Sequence, residues 1–290
     1  MQVQREGYLD KPRIRDAFSD IISLRNKVSS LPGVKAASAR AIGFSLVSSE
    51  DRTYGAQIVG VEAANEPEVS TIPGLIRQGR FFNSPDAYEV VIGKTLAQNL
   101  KLKIGDEITF LGQGRDGSLA ASVLPVVGFF DSGSRDLDRS TVMMPLSTFQ
   151  ETFSMRDGGH SIVVVGSSLA ELPQLVKNVE SILPKNDAEK LVALRWDELL
   201  PGLQQAIELD MSSAWLFWIS LIMIVGFSIL NTFLMSVLER TREFGVLLSL
   251  GQPPKQIFGM VMTECLVFHL QFFLCLLDGQ QEQQILLQYK

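Results

Sequence analysis

Cysteine is almost missing from this chain of 290 residues: there are two, Cys265 and Cys275, both in an apolar stretch near the C-terminal end. The preceding residues contain none, which excludes a disulfide framework or a thiolate metal site there and fits an exported domain that avoids redox chemistry. Histidine is equally scarce. His160 and His269 lie too far apart in sequence for a histidine metal cluster. A basic surplus is also lacking: the formal net charge is −6, which argues against a nucleic-acid binder. The opening "MQVQREGYLDKPRIRD" has no basic region followed by an apolar core, so it does not read as a secretory signal peptide. Internal repeats and low-complexity linkers are absent.

What the chain does have is an uneven distribution of charge. From residue 211 onward there are four basic and five acidic residues, against 22 and 27 in residues 1–210. The first 210 residues read as an ordinary, slightly acidic domain. Residues 214–238, "AWLFWISLIMIVGFSILNTFLMSVL", are 25 consecutive positions without a charge. As a helix they would extend roughly 37 Å, enough to cross a hydrocarbon core of roughly 30 Å with some tilt. Trp215 and Trp218 stand near one end, and Arg240 and Arg242 just past the other. The positive-inside rule makes the arginine end cytoplasmic and places residues 1–210 outside the cytoplasm. A buried helix of a large soluble protein is the competing reading, and the flanking residues argue against it. A second apolar run, residues 257–277, is long enough to span but includes Glu264, His269 and Gln271. A carboxyl group in mid-membrane is costly. Residues 278–290 form a Gln-rich polar tail.

Within residues 1–210, helical and strand patterns alternate. "PRIRDAFSDIISLRNKVSSLPG" places Ile14, Phe18, Ile21, Ile22 and Val28 at helical spacing. Strands are expected in "VKAASARAIGFSLVS", "RTYGAQIVGVE", "EVVIGKT", "KIGDEITFLG", "SVLPVVGFF" and "STVMMPL", with short helices at "LAQNL" and "STFQETF". "HSIVVVG", "SLAELPQLVKNVESIL" and "LVALRW" read as strand, helix, strand. "WDELLPGLQQAIELDMSSAW" reads as an amphipathic helix running on into the membrane. The fold class is α+β (mixed α/β) for an extracytoplasmic domain followed by one or two transmembrane helices.

Tests for catalytic chemistry fail. "GKT" at residues 93–95 would need a glycine at position 88 to form a phosphate loop, and that position is Tyr88. Lys94 reads instead as the exposed start of a helix. "DSGSRDLDRS", residues 131–140, gathers Asp131, Asp136 and Asp138, but has neither calcium-loop spacing nor a nucleophile elbow; a polar surface loop is expected. His160 has no evident partner and is expected at the surface or in a cap.

The stretch "LERTREFGVLLSLGQPPKQIF" resembles the signature of FtsX-like ABC transporter permeases, R-x-x-E-[IF]-G-x-L-x-x-x-G-x-x-x-x-x-I. Arg240, Glu243, Phe244, Gly245, Leu247, Gly251 and Ile257 match it. "GRFF", "EVVIGKTLAQNLKLKIGDEITF" and "VVGFFDSGSRDLDRSTVMMPLSTFQ" are similar to a MacB-like periplasmic core domain, the last leaning toward the lipoprotein-releasing LolC/LolE type. The resemblance implies a dimeric permease, homo- or heterodimeric, in the bacterial plasma (inner) membrane. It implies a cytoplasmic coupling loop that meets a separate ABC ATPase subunit. ATP then belongs to that partner, and this chain is neither an enzyme nor the holder of a cofactor. The implied division is 1–210 periplasmic, 211–238 transmembrane, 239–256 coupling, 257–277 a possible second span and 278–290 tail. The implied coupling residues are Arg240, Arg242, Glu243, Phe244, Gly245, Leu247, Gly251, Lys255 and Ile257. Phe244, Leu247, Leu248 and Leu250 are expected to pack, Gly245 and Gly251 to permit close approach or a bend, and "QPP" to interrupt the helix. The pattern departs from the family before Gln2 and after Glu264, so a truncated or frame-shifted chain is expected. Cargo stays open among lipoproteins, macrolides, peptides and glycolipids. Two other readings also stay open: a membrane-anchored extracytoplasmic binding or sensor module without transport, and a loop at 239–258 whose arginines only fix topology.

Overall fold

Long alternating segments pair first. In the computed structural model, which describes residues 1–168, 171–184, 190–264 and 267, β2 (Val34–Ser48) and β3 (Thr53–Val61) form an antiparallel hairpin, from Arg40 opposite Val61 to Ser48 opposite Thr53. Along β2, buried Gly43, Ser45 and Val47 alternate with exposed Phe44 and Leu46, the period-two pattern of a strand with one inner face. The chain forms two compact units, residues 1–204 and 205–290.

The first unit carries β1 (Gln2–Arg5), β4 (Ile76–Gly79), β5 (Val90–Gly93), β6 (Glu107–Gln113), β7 (Leu119–Phe130), β8 (Thr141–Pro145), β9 (Ser161–Gly166) and β10 (Leu191–Leu194). All belong to one sheet, ordered β10-β1-β9-β2-β3-β8-β5-β7-β4. β6 pairs with both β2 and β7. The strands β2, β3, β8, β5, β7 and β6 therefore close into a hydrogen-bonded ring, and β9, β1 and β10 extend from β2 as a wing. Closure leaves those six strands fewer open edges. Ile58, Ile92, Ile108 and Phe110 are fully buried in the principal core. Phe149 within α5 (Leu146–Thr152) and Phe153 at its C-terminal cap stack at 4.4 Å and join the same core.

β2 changes partners along its length. It pairs with β9 through Arg40 and with β6 from Ser45 onward. Between these, the Ile42 N–H donates to His160 Nδ1 at 2.9 Å, and His160 Nε2 faces the Ile14 carbonyl at 3.1 Å. The ring stacks on Tyr8 with centroids 5.1 Å apart and is fully buried. The expected surface position for His160 is thus corrected: its ring fills a gap in strand pairing, a long-range role invisible to local pattern.

Two further expectations change. The helix expected from Pro12 begins at α1 (Ile21–Ser29), after a short 3-10 turn at Ile14–Asp16. Phe18 is spent on a two-way backbone bridge to Gly159 instead. Asp20 then turns the chain in the left-handed region, φ 55°, which Asp tolerates better than most residues. In residues 131–140, the expected loop contains α4 (Arg135–Ser140). Asp138 is buried and accepts from Ser132 N at 2.9 Å and Ser132 Oγ at 2.7 Å. α4 also explains "GKT". A β-carbon on Gly93 would fall 2.7 Å from Asp138 Cα, so the glycine permits β5 to meet α4 closely before α3 (Lys94–Leu100) begins. Gly93→Ala is expected to destabilise the chain by about 1–3 kcal/mol through overpacking, measured as a lower denaturation midpoint. Lys94 stands at the start of α3 as expected, exposed and 2.8 Å from Asp131.

Candidate functional site

After β10, α7 (Trp196–Leu199) ends at Leu200, and α8 (Pro201–Glu239) then runs without a break. The expected single helix from Trp196 is interrupted there, with Pro201 starting the new helix, where proline costs nothing. Among the described residues α8 is the one helix long and apolar enough to cross a membrane, and its apolar window is wholly exposed. A lone helix apolar on every side fits lipid better than water.

Arg240 ends α8 and caps α9 (Thr241–Ser249) with non-helical backbone. α9 stops at Gly251, φ +87°. Gly251 N–H donates to Leu248 O at 3.1 Å and Gln252 N–H to Leu247 O at 3.2 Å, the paired closing bonds of a Schellman turn. Residues 254–264 are helical again, with Pro254 in the first position. The expected interruption at "QPP" is therefore present, and the bend falls at Gly251 alone. Gly245 lies within α9 and introduces no bend.

Among the described residues of the second unit beyond Asn231, all are exposed except Phe233 and Val237 on α8, Phe244 and Leu247 on α9 and Val261 on residues 254–264, which are half-buried, and Ile257, which is buried. Their i,i+3 and i,i+4 spacing gives each helix one inward stripe. Leu248 and Leu250, expected to pack, are exposed at 48% and 75%; Leu248 is one turn from Phe244 on the edge of the stripe farther from Leu247, and Leu250 lies beyond the last turn of α9. Arg240 Nη1 meets Glu264 Oε2 at 2.9 Å. Arg242, Glu243, Gly245 and Lys255 are exposed. At about 100° per residue, Arg242, Gly245 and Ser249 lie opposite Phe244 and Leu247. The nine expected coupling residues thus divide: Phe244, Leu247 and Ile257 build the hairpin, Gly251 turns it, Arg240 pairs with Glu264, and the other four face outward. The larger part of the expected second span, with Cys265, His269 and Gln271, and the 278–290 tail lie outside the described residues.

Gly245 is the informative residue. A β-carbon there would meet nothing within 4 Å, and its φ is not positive. Among the described residues neither packing nor backbone geometry calls for glycine there, yet mid-helix glycine costs about 1 kcal/mol relative to alanine.

The first unit has a separate exposed apolar face on the outside of the ring. Phe44 and Leu46 on β2 are 59% and 49% exposed, and Leu111 on β6, opposite Leu46, is 45% exposed. They line a shallow depression with Gln57 and Ser140. Sequence reading missed this face, since along Gly43–Val47 the large apolar Phe44 and Leu46 point out while Gly43 and Ser45 point in, the reverse of what residue type suggests.

Residues 1–182 match the family description of the MacB-like periplasmic core domain, and residues 215–276 that of the FtsX-like permease C-terminal region. A macrolide export ATP-binding/permease protein, MacB, of Bdellovibrio bacteriovorus is 26% identical over 88% of this chain and 40% of its own length. The lipoprotein-releasing system transmembrane protein LolC of Neisseria meningitidis serogroup B is 19% identical over 89% of this chain and 62% of its own length. The chain therefore spans less than two thirds of either relative. In fold, the extracellular domain of the noncanonic ABC-type transporter YknZ from Gram-positive bacteria superposes with a TM-score of 0.50, at 17% identity, over 67% of this chain and 99% of that one. With a mixed α/β first unit, an apolar helix behind it and both family descriptions matched in chain order, this chain belongs to the family of FtsX-like ABC transporter permeases that carry a MacB-like periplasmic core domain.

Proposed function

We propose that the chain is the permease component of an ATP-driven export or lipoprotein-release system, and that the outward face of α9 is where a separate ABC ATPase subunit docks. The observation that carries this reading is Gly245. A glycine that costs helix stability and meets nothing among the described residues makes physical sense where a partner's backbone or side chain comes close. Arg242 beside it supplies a charge for orientation. Arg240 and Arg242 follow the apolar helix directly, which supports a cytoplasmic position for α9 in the bacterial plasma membrane and an extracytoplasmic position for the first unit. ATP is bound and hydrolysed on the partner. Closure of the ATPase displaces α9, and α8, an unbroken helix of 39 residues or roughly 58 Å, carries the displacement toward the chain segment that leaves β10. A second permease subunit completes the assembly, and an amphiphilic cargo such as a lipoprotein or a macrolide suits the two named relatives.

The test is recovery of the ATPase subunit with the full chain in detergent. Arg242→Glu and Gly245→Leu are expected to weaken recovery at least tenfold, about 1.4 kcal/mol. Gly245→Ala is expected to stabilise α9 by about 1 kcal/mol in the chain alone while still reducing recovery. Equal recovery from all variants would overturn the coupling role and favour a membrane-anchored binding or sensor module.

A further inference from the structure

We infer that Glu264, through Arg240, is a positioning residue that closes α9 and the helix after it into one rigid lever. This deepens the coupling reading above and rests on it for what the lever moves. The argument begins with spacing. Arg240, Phe244 and Leu247 stand at i, i+4 and i+7, and so do Ile257, Val261 and Glu264. Both stripes lie on single helix faces. The turn at Gly251 reverses the chain between them, so the stripes run antiparallel. Spacing matches Leu247 with Ile257 next to the turn and Phe244 with Val261 in the middle, and the Arg240–Glu264 contact fixes the open end. The four inner residues are wholly or partly withdrawn from solvent, and the outer contact is the 2.9 Å ion pair.

The pair explains a charge that is awkward in sequence. Glu264 falls inside the apolar run 257–277, where an unpaired carboxylate is costly. Arg240 follows the last apolar residue of α8, Leu238, and reaches Glu264 across 24 residues. In open water such a half-exposed pair would contribute little. Where an apolar helix leaves the hydrocarbon, screening is weaker and the pair gains strength. Arg240 is thereby occupied within the chain, and the charges left for a partner on this segment's outward face are Arg242, Glu243 and Lys255.

The test is the distance between spin labels at positions 249 and 262, measured on the full chain in detergent without any ATPase. Wild type is expected to give one narrow distance. Arg240→Glu and Glu264→Arg are each expected to lose it, and the double reversal Arg240→Glu/Glu264→Arg to restore it. Glu264→Gln, which keeps shape without charge, is expected to broaden it. An unchanged narrow distance in both single reversals, or failure of the double reversal to restore it, overturns the inference. Because no ATPase is present, this outcome is independent of the docking test. A narrow, reversal-sensitive distance with ATPase recovery indifferent to Arg242→Glu would leave the clamp intact and remove only its proposed use.

Discussion

The imidazole of His160 is expected to titrate at about pH 4. Burial is the leading cause, since an imidazolium there would lose its water. Hydrogen bonding acts in the same direction on one side of the ring: Nδ1 accepts the Ile42 N–H, and a proton on Nδ1 would set two donors against each other. The neutral ring that satisfies both contacts carries its proton on Nε2, donated to Ile14 O. The sign for stability follows. The folded value of about 4 lies below the unfolded value of 6.5, so the unfolded chain binds the extra proton first as pH falls. Stability is complete above about pH 6.5, declines between about 6.5 and about 4 by roughly 3 kcal/mol, and loses nothing more from this group below that. Proton NMR of the imidazole reads the titration directly. The chain has two histidines, so His269→Gln leaves a single ring to follow. A midpoint near 6.5 would refute the buried, neutral assignment. His160→Asn should flatten the dependence of the denaturation midpoint on pH across this window.

His160 also shows why parts of the fold were hidden. Strands β2, β3, β7 and β8 were legible because each satisfies a local pattern: alternation in β2, uninterrupted apolar residues in β8. α8 was legible because twenty-five uncharged positions leave little alternative to a helix in lipid. β1 was not, since Gln2–Arg5 has a single apolar inward residue, Val3, and becomes a strand by lying between β9 and β10. The same applies to Asp138, whose burial depends on Gly93 coming from another element. In the candidate site, the family motif drew attention to the right segment but could not sort its members. Phe244 and Gly245 are adjacent in sequence, and only helix geometry turns one inward and the other out. Glu264 was conspicuous as a charge within an apolar run; its partner became visible when the Gly251 turn brought Arg240 to it.

Removing either member of the Arg40–Glu66 pair is expected to cost about 3–5 kcal/mol, with Arg40 the more damaging loss. β3 ends at Val61, so β2 residues preceding Arg40 have no strand neighbour on that side. Carboxylates take the place of the missing strand. Glu62 accepts the Ala39 N–H at 2.7 Å and holds Arg25, whose Nε lies at 3.0 Å. Glu66, at the start of α2 (Glu66–Val69) and fully buried, accepts from Ser38 Oγ at 3.2 Å and from Arg40 Nε at 3.3 Å, with Arg40 Nη2 on its other oxygen. The partners differ in access to water: the Arg40 side chain is 25% exposed and that of Glu66 is 0%. Glu66→Leu leaves a guanidinium that can recruit solvent, which places the cost near the lower bound. Arg40→Met leaves a buried carboxylate with a single hydroxyl donor, which places it near the upper. Combining Arg40→Met with Glu66→Leu removes both charges together and should recover most of the loss, because the penalty comes from the orphaned charge and not from the missing attraction. Denaturant midpoints of the two single variants and the double variant close this cycle. Additive losses in the double variant would show that the two side chains are not energetically coupled, and would overturn the view that an orphaned charge sets the cost of either single change.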